Sequence, residues 1–278
     1  MRLPPWLQQQ LQNAADVYTA YRPQSVPSQK KLKECKVVSH RGEYDNKHVF
    51  ENTLPAFQVA HKNNVWGIEL DIRWTKDLFP VVMHDKNCQR LFGKDIKIKK
   101  TKLSELQAAC PLIPTLKQVI AEFGNKLHLM IELKKEKYPD PEYQVQVLES
   151  MLSGLKHGEN YHFLSLTPKM FQYVEFVPSS TYLLVSETNT QKSSKVALGQ
   201  NYGGLTGHFL LLTKKIIRLH HNNDQQVGTG FITSKNCLFR EIHKNVDWIF
   251  SNKAVELQKI IDGLIVKKAA RKTVNSKQ

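Results

Sequence analysis

The chain has no apolar run approaching the roughly 18 to 20 residues that span a bilayer, so no membrane-crossing helix is expected. Residues 1–20 carry neither a basic opening nor a continuous apolar stretch. Gln8, Gln9 and Gln10 interrupt them, and no cleaved signal peptide is expected there. Cysteine is scarce: Cys35, Cys88, Cys110 and Cys237 stand far apart without Cys-x-x-Cys spacing. That argues against a zinc site or a disulfide framework and fits a reducing cytosol. Acidic residues are also few, 25 Asp and Glu against 40 Lys and Arg, for a formal charge of +15. Such a surface attracts anions without specifying which. Nucleic acid, anionic headgroups and a phosphate-bearing small substrate all fit, but no DNA- or RNA-binding motif is present.

What is there supports a sizeable core: 41% of the residues are hydrophobic, and 278 residues suit one α/β barrel. Trp6, Leu7, Leu11, Ala14, Val17, Tyr18 and Tyr21 recur at helical spacing. The polar face of that helix carries glutamines rather than lysines, so it is expected to pack on the domain, not on a membrane. Residues 22–29, with Pro23 and Pro27, read as a linker. From Lys36 onward, short apolar runs alternate with helical patterns. The predicted strands are 36–39, 67–73, 81–84, 127–133, 163–166, 181–185, 205–211, 227–232 and 246–250. The predicted helices are 55–63, 115–123 (capped by Thr115 after Pro114), 141–157, 168–176, 213–220 and 252–264. This alternation predicts a parallel sheet with crossover helices, which eight units would close into a TIM (β/α)8 barrel. The expected organisation is an N-terminal helix and linker (1–35), one barrel domain (36–266) and a basic, disordered tail (267–278).

The functional signal lies at the ends of the apolar runs. Side chains alternate across a strand, so Glu69 and Asp71 share one face while Ile68, Leu70 and Ile72 share the other. Two carboxylates on a buried face are costly unless something positive meets them. Glu132 and Lys134 repeat the pattern beside Ile131 and Leu133, His84-Asp85 closes another run, and His40-Arg41 closes the first. In a parallel barrel all these ends share one mouth, where barrel active sites are built. Three carboxylates form a hard-oxygen site suited to Mg²⁺ or Ca²⁺, two histidines suit acid–base work, and Arg and Lys suit a phosphoryl group. Each cluster alone has an ordinary explanation, a surface ion pair or a structural histidine. Their joint order points to chemistry.

The series His40-Arg41-Gly42, Glu51-Asn52-Thr53, Glu69-Leu70-Asp71, His84-Asp85 and Glu132-Leu133-Lys134 resembles the signature of the glycerophosphodiester phosphodiesterase family. The spacer 75–82 and the late run Val246-Asp247-Trp248-Ile249-Phe250-Ser251-Asn252 are also similar to that family. The resemblance implies metal-dependent hydrolysis of glycerophosphodiesters, such as glycerophosphocholine or glycerophosphoethanolamine, to glycerol 3-phosphate and an alcohol. It implies His40 and His84 as the acid–base pair, and Glu69, Asp71 and Glu132 as ligands of one divalent cation, Mg²⁺ or Ca²⁺. Arg41 and Lys134 would bind phosphate, and Glu51 and Asn52 would orient these groups, with Glu51-Asn52-Thr53 also reading as a helix N-cap. The implied partner is a small phosphodiester in the cytoplasm, without nucleic acid or an obligate protein partner. Related barrels cleave lysophospholipids or sphingolipids, and the basic surface leaves open peripheral contact with an anionic membrane.

Several positions depart from the family pattern. Phe50 replaces a proline, Leu78-Phe79 replaces an Asp-Gly turn, and Phe231 stands where a tryptophan usually flanks the glycerol. The segment 85–110 is short, which suggests an open mouth. His220-His221 lacks carboxylates at ligand spacing and is expected on the surface.

Overall fold

The computed structural model describes residue 14 and residues 17–275, with side chains through residue 266. Its strands are β1 (Lys36–His40), β2 (Gly67–Trp74), β3 (Pro80–Val82), β4 (His128–Leu133), β5 (Tyr161–Ser165), β6 (Tyr182–Ser186), β7 (Gly204–His208), β8 (Gln226–Gly230) and β9 (Trp248–Ser251). The α-helices are α1 (Gln29–Glu34) before β1, α2 (Leu54–Lys62), α3 (Gln89–Phe92), α4 (Leu103–Ala109), α5 (Leu116–Phe123), α6 (Pro141–Leu152), α7 (Thr190–Gly199), α8 (Lys214–His221) and α9 (Lys235–Lys244) between strands, and α10 (Ala254–Asn275) after β9. The sheet order is β1-β9-β8-β7-β6-β5-β4-β2-β3, and β1 also pairs with β2, closing eight parallel strands into a barrel.

Strand alternation divides the core in two. Ile68, Leu70, Ile72, Leu129, Ile131 and Leu133 face outward into the layer shared with the helices. Val38, Met130, Leu164, Leu183, Trp248 and Phe250 fill the barrel interior. Lower in the barrel, His128 Nε2 lies 2.8 Å from His162 Nδ1, and Trp66 stacks on His128 at 4.4 Å. Burial holds both imidazoles below the usual histidine range, so they pair as neutral rings.

The predicted strand 81–84 is corrected to a shorter element outside the barrel. β3 pairs antiparallel with the end of β2, Ile72 opposite Val82 and Trp74 opposite Pro80. β2 outruns its barrel neighbours, and the chain folds back on it through Leu78, whose φ is 63°. That hairpin returns His84 to the mouth, although no parallel strand carries it.

The helix expected at 168–176 is a 3-10 helix, Pro168–Tyr173. Helices α3, α4, α7 and α9 fall outside the predicted set. The buried face of α7 is Thr190, Ser194 and Ala197, too small and polar to give an apolar period. Ser28, inside the expected linker, instead caps α1 by accepting from Lys31 N. Thr115 caps α5 as expected, and α10 runs through most of the basic segment.

Of the N-terminal helix, residues 1–13, 15 and 16 lie outside the described residues. Residues 17–20 are helical, and Asn236 Nδ2 donates to the Ala20 carbonyl at 2.6 Å. Contrary to a fully packed helix, Val17, Tyr18 and Tyr21 are exposed. His220 is also corrected: it is buried between Ser194 and Gln225, while His221 pairs with Asp247 at 2.8 Å.

Candidate active site

Pleating and register build the site. β1, β2 and β4 are neighbours, with His40 opposite Glu69 and Asp71 opposite Glu132. Inward alternation therefore brings Glu69, Asp71 and Glu132 together, with one carboxylate oxygen from each within 4.8 Å of the other two. Lys134, the next inward position after Glu132, pairs with Asp71 and with Glu132 at 2.6 Å each. Asn252 continues the inward face of Trp248 and Phe250, and its Oδ1 lies 2.6 Å from His40 Nδ1.

Past β1 the chain turns sharply. Arg41 has φ 62° and Gly42 φ 81°. A Cβ at Gly42 would stand 2.7 Å from Ala56 Cβ, so conformation and space both require glycine here. The Arg41 backbone N–H donates to Glu69 Oε2 at 3.1 Å, and its guanidinium pairs with Glu51 at 3.0 Å and Asp71 at 3.3 Å. The left-handed Asn52 donates from Nδ2 to Asp71 Oδ2 at 2.8 Å. Thr53 occupies the N-cap of α2, but its hydroxyl donates to the Phe50 carbonyl and makes no side-chain cap bond.

His84 follows β3. Arg73 Nε donates to its carbonyl at 2.8 Å, and Asp85 Oδ1 lies 2.7 Å from its Nδ1. A carboxylate only accepts, so Nδ1 carries the hydrogen and Nε2 of the neutral ring keeps its lone pair. Phe231, half-exposed with φ 66°, meets His40 edge-on at 5.9 Å and stacks near His208 at 5.7 Å.

All ten residues singled out in the sequence thus lie around one mouth. Sequence reasoning missed Asn252 as the partner of His40, Arg73 beneath His84, and Arg90, which pairs with both Glu51 and Asp85. Only Asn252 had a legible signal, as the last residue of the 246–252 run.

The electrostatics are unbalanced. Burial, then Asp71 and Glu132, push Glu69 well above the ordinary carboxylate range. Burial and Asp71 also raise Glu132. Burial would raise Asp71 too, but Lys134 and Arg41 outweigh it and hold that carboxyl below its usual value. Three carboxylates therefore share two cations, one of which also serves Glu51. Glu69 Oε1 is buried without a hydrogen-bond partner among the described residues. An oxygen-only donor set short of positive charge, with an orphaned ligand atom, fits a hard divalent cation. Burial and then Arg41 lower His40 to about 4, and burial lowers His84, so both rings are neutral near pH 7.

An eight-stranded barrel with acidic, basic and imidazole groups at its C-terminal mouth defines a class, and comparison places the chain in it. Residues 40–223 match the glycerophosphoryl diester phosphodiesterase family, and the chain belongs to that family. It is 37% identical over 110 residues to the glycerophosphodiester phosphodiesterase of Caldanaerobacter subterraneus subsp. tengcongensis, 35% of this chain and 44% of that protein. It is 37% identical over 107 residues to the human lysophospholipase D, 32% of this chain and 33% of that protein. The alignments thus span less than half the length of these relatives. Among solved structures, an Oleispira antarctica phosphodiesterase in complex with sn-glycerol-3-phosphate shares the fold at a TM-score of 0.68. That pair is 20% identical, covering 82% of this chain and 96% of the other.

Proposed function

We propose that this protein hydrolyses glycerophosphodiesters to glycerol 3-phosphate and an alcohol. The observation that carries the reading is the convergence of three carboxylates, Arg41, Lys134 and two neutral imidazoles on one barrel mouth. Glu69, Asp71 and Glu132 would hold one Mg²⁺ or Ca²⁺, which when bound polarises a phosphate oxygen. Arg41 and Lys134 neutralise phosphate charge. Lys134 has three N–H donors, and its two ion pairs leave one for a phosphate oxygen. One histidine assists attack on phosphorus and the other protonates the leaving oxygen. Asp85 makes His84 the readier of the two to carry a proton, because His40 faces a neutral amide instead. Glu51 and Asn52 orient Arg41 and Asp71, and Phe231 forms a wall beside His40.

Phosphorus NMR of the purified protein with glycerophosphocholine, glycerophosphoethanolamine and a lysophospholipid, with Mg²⁺ or Ca²⁺, tests this reading. Glycerol 3-phosphate should form from the first two. No turnover of any of these diesters with either metal would overturn it.

A second reading keeps the chemistry and moves the substrate to a membrane surface, as in a lysophospholipase D. Leu166, Leu210, Leu211 and Phe231, on loops following β5, β7 and β8, are exposed at the mouth. Lys214, Lys215 and Lys235, in the first turns of α8 and α9, are exposed on the same side. Helix N-termini favour acidic residues, so these lysines do not serve helix stability. A cytoplasmic protein docking peripherally on anionic lipid would use such a face. It should co-sediment with phosphatidylserine vesicles at low salt and be released at high salt. Failure to sediment at low salt would count against the second reading and leave the first intact.

A further inference from the structure

We propose that Arg90 is a positioning residue that braces the His84–Asp85 pair against Glu51, and so joins the acid–base group to the phosphate-binding arginine. The inference rests on the acid–base reading of His84. Arg90 Nε donates to Asp85 Oδ2 at 2.6 Å. The other edge of the guanidinium donates to Glu51, Nη1 to Oε2 at 3.1 Å and Nη2 to Oε1 at 2.6 Å. Glu51 Oε1 in turn accepts from Arg41 at 3.0 Å. A single planar group thus spans two carboxylates, a geometry that lysine cannot reproduce.

The mounting of these groups explains why a brace is needed. Arg90 lies on α3, whose Leu91 packs with Val81, Met83, Cys88 and Ile98 in a small core separate from the barrel core. Glu51 lies on the loop after β1, 39 residues away in sequence and buried. Arg90 therefore bridges two bodies that meet at the mouth. Arg73 fixes the backbone at His84 through its carbonyl, so what Arg90 sets is the side-chain geometry of the pair. One Asp85 oxygen faces His84 and the other Arg90, and losing Arg90 frees the carboxylate to swing. Glu51 would still keep Arg41 and Asn46, so no buried charge is orphaned.

A kinetic double-mutant cycle on the full chain tests this, with wild type, Arg90→Gln, Asp85→Asn and the double variant assayed on glycerophosphocholine with metal. Arg90→Gln should lower kcat about 10- to 100-fold with little change in KM, as for partners that orient a reacting group. Arg90→Lys should recover only part of the loss, and Lys117→Gln, which removes an exposed charge on α5, should match wild type. Adding Arg90→Gln to Asp85→Asn should cost much less than adding it to wild type. Equal losses in both backgrounds, or a loss confined to KM, would make Arg90 a substrate contact and overturn the proposal. Should Arg90→Gln fail to fold, the same cycle with Arg90→Lys decides it by the same criterion. Undiminished turnover in folded His84→Ala would instead overturn the acid–base reading beneath it.

Discussion

Replacing His84 or His40 by alanine should lower kcat by roughly 10²- to 10⁴-fold each, the range for a lost general acid or base. Both rings are neutral, and each has Nδ1 engaged, by Asp85 and by Asn252. On the proposed mechanism, that leaves Nε2 as the atom to take or give a proton. His40 Nε2 lies 3.8 Å from Glu69, beside the carboxylate cluster where a phosphoryl group would be held. Neither ring supports a core: His84 is part-exposed at the mouth, and the His40 side chain retains 21% of its exposure. The variants should therefore melt close to wild type, and the loss should appear in turnover alone. A folded His84→Ala or His40→Ala protein that kept most of its rate would show that its imidazole does not transfer the proton.

Chelation should abolish turnover, and returning Mg²⁺ or Ca²⁺ should restore it. Thermal unfolding gives a readout independent of activity. A cation that binds only the folded chain adds about 2.7 kcal/mol at 100 times its Kd, which raises the midpoint by roughly 5 to 10 °C in a protein of this size. Glu69→Gln should remove most of that shift, because it takes away the carboxylate whose buried Oε1 lacks a hydrogen-bond partner among the described residues. The metal-free protein carries a further signature. Glu69 and Glu132 are raised above 4.5 when folded, so the folded chain holds protons that the unfolded chain releases. Their contribution to stability is present below pH 4.5 and lost as the pH climbs through the raised values. A metal-free midpoint independent of pH above that point, with no response to either cation and full turnover in EDTA, would remove the metal from the site.

Much of this was legible because it depends on local rules. Glu69 and Asp71 share a face by pleating, and Glu132 and Lys134 repeat the spacing one strand away. The buried β4, hydrophobic except at Glu132 and His128, marked itself as a parallel strand. What stayed hidden depends on separations that local patterns do not carry. Asn252 meets His40 across 212 residues, and Arg90 meets Glu51 across 39. The 81–84 run satisfied every strand criterion, but only packing against the end of β2 made it an antiparallel hairpin.

Taken alone, the sequence determined the barrel and the mouth at which the carboxylate, imidazole and cationic groups gather. Strand period and chain polarity decide these things, and both are written in neighbouring residues. Tertiary structure decided which group restrains which. It set Asn252 on His40, and Arg90 between Asp85 and Glu51. Those pairings arise where separate loops and the small core beside α3 meet at the barrel rim, and a contact between two bodies has no period along the chain.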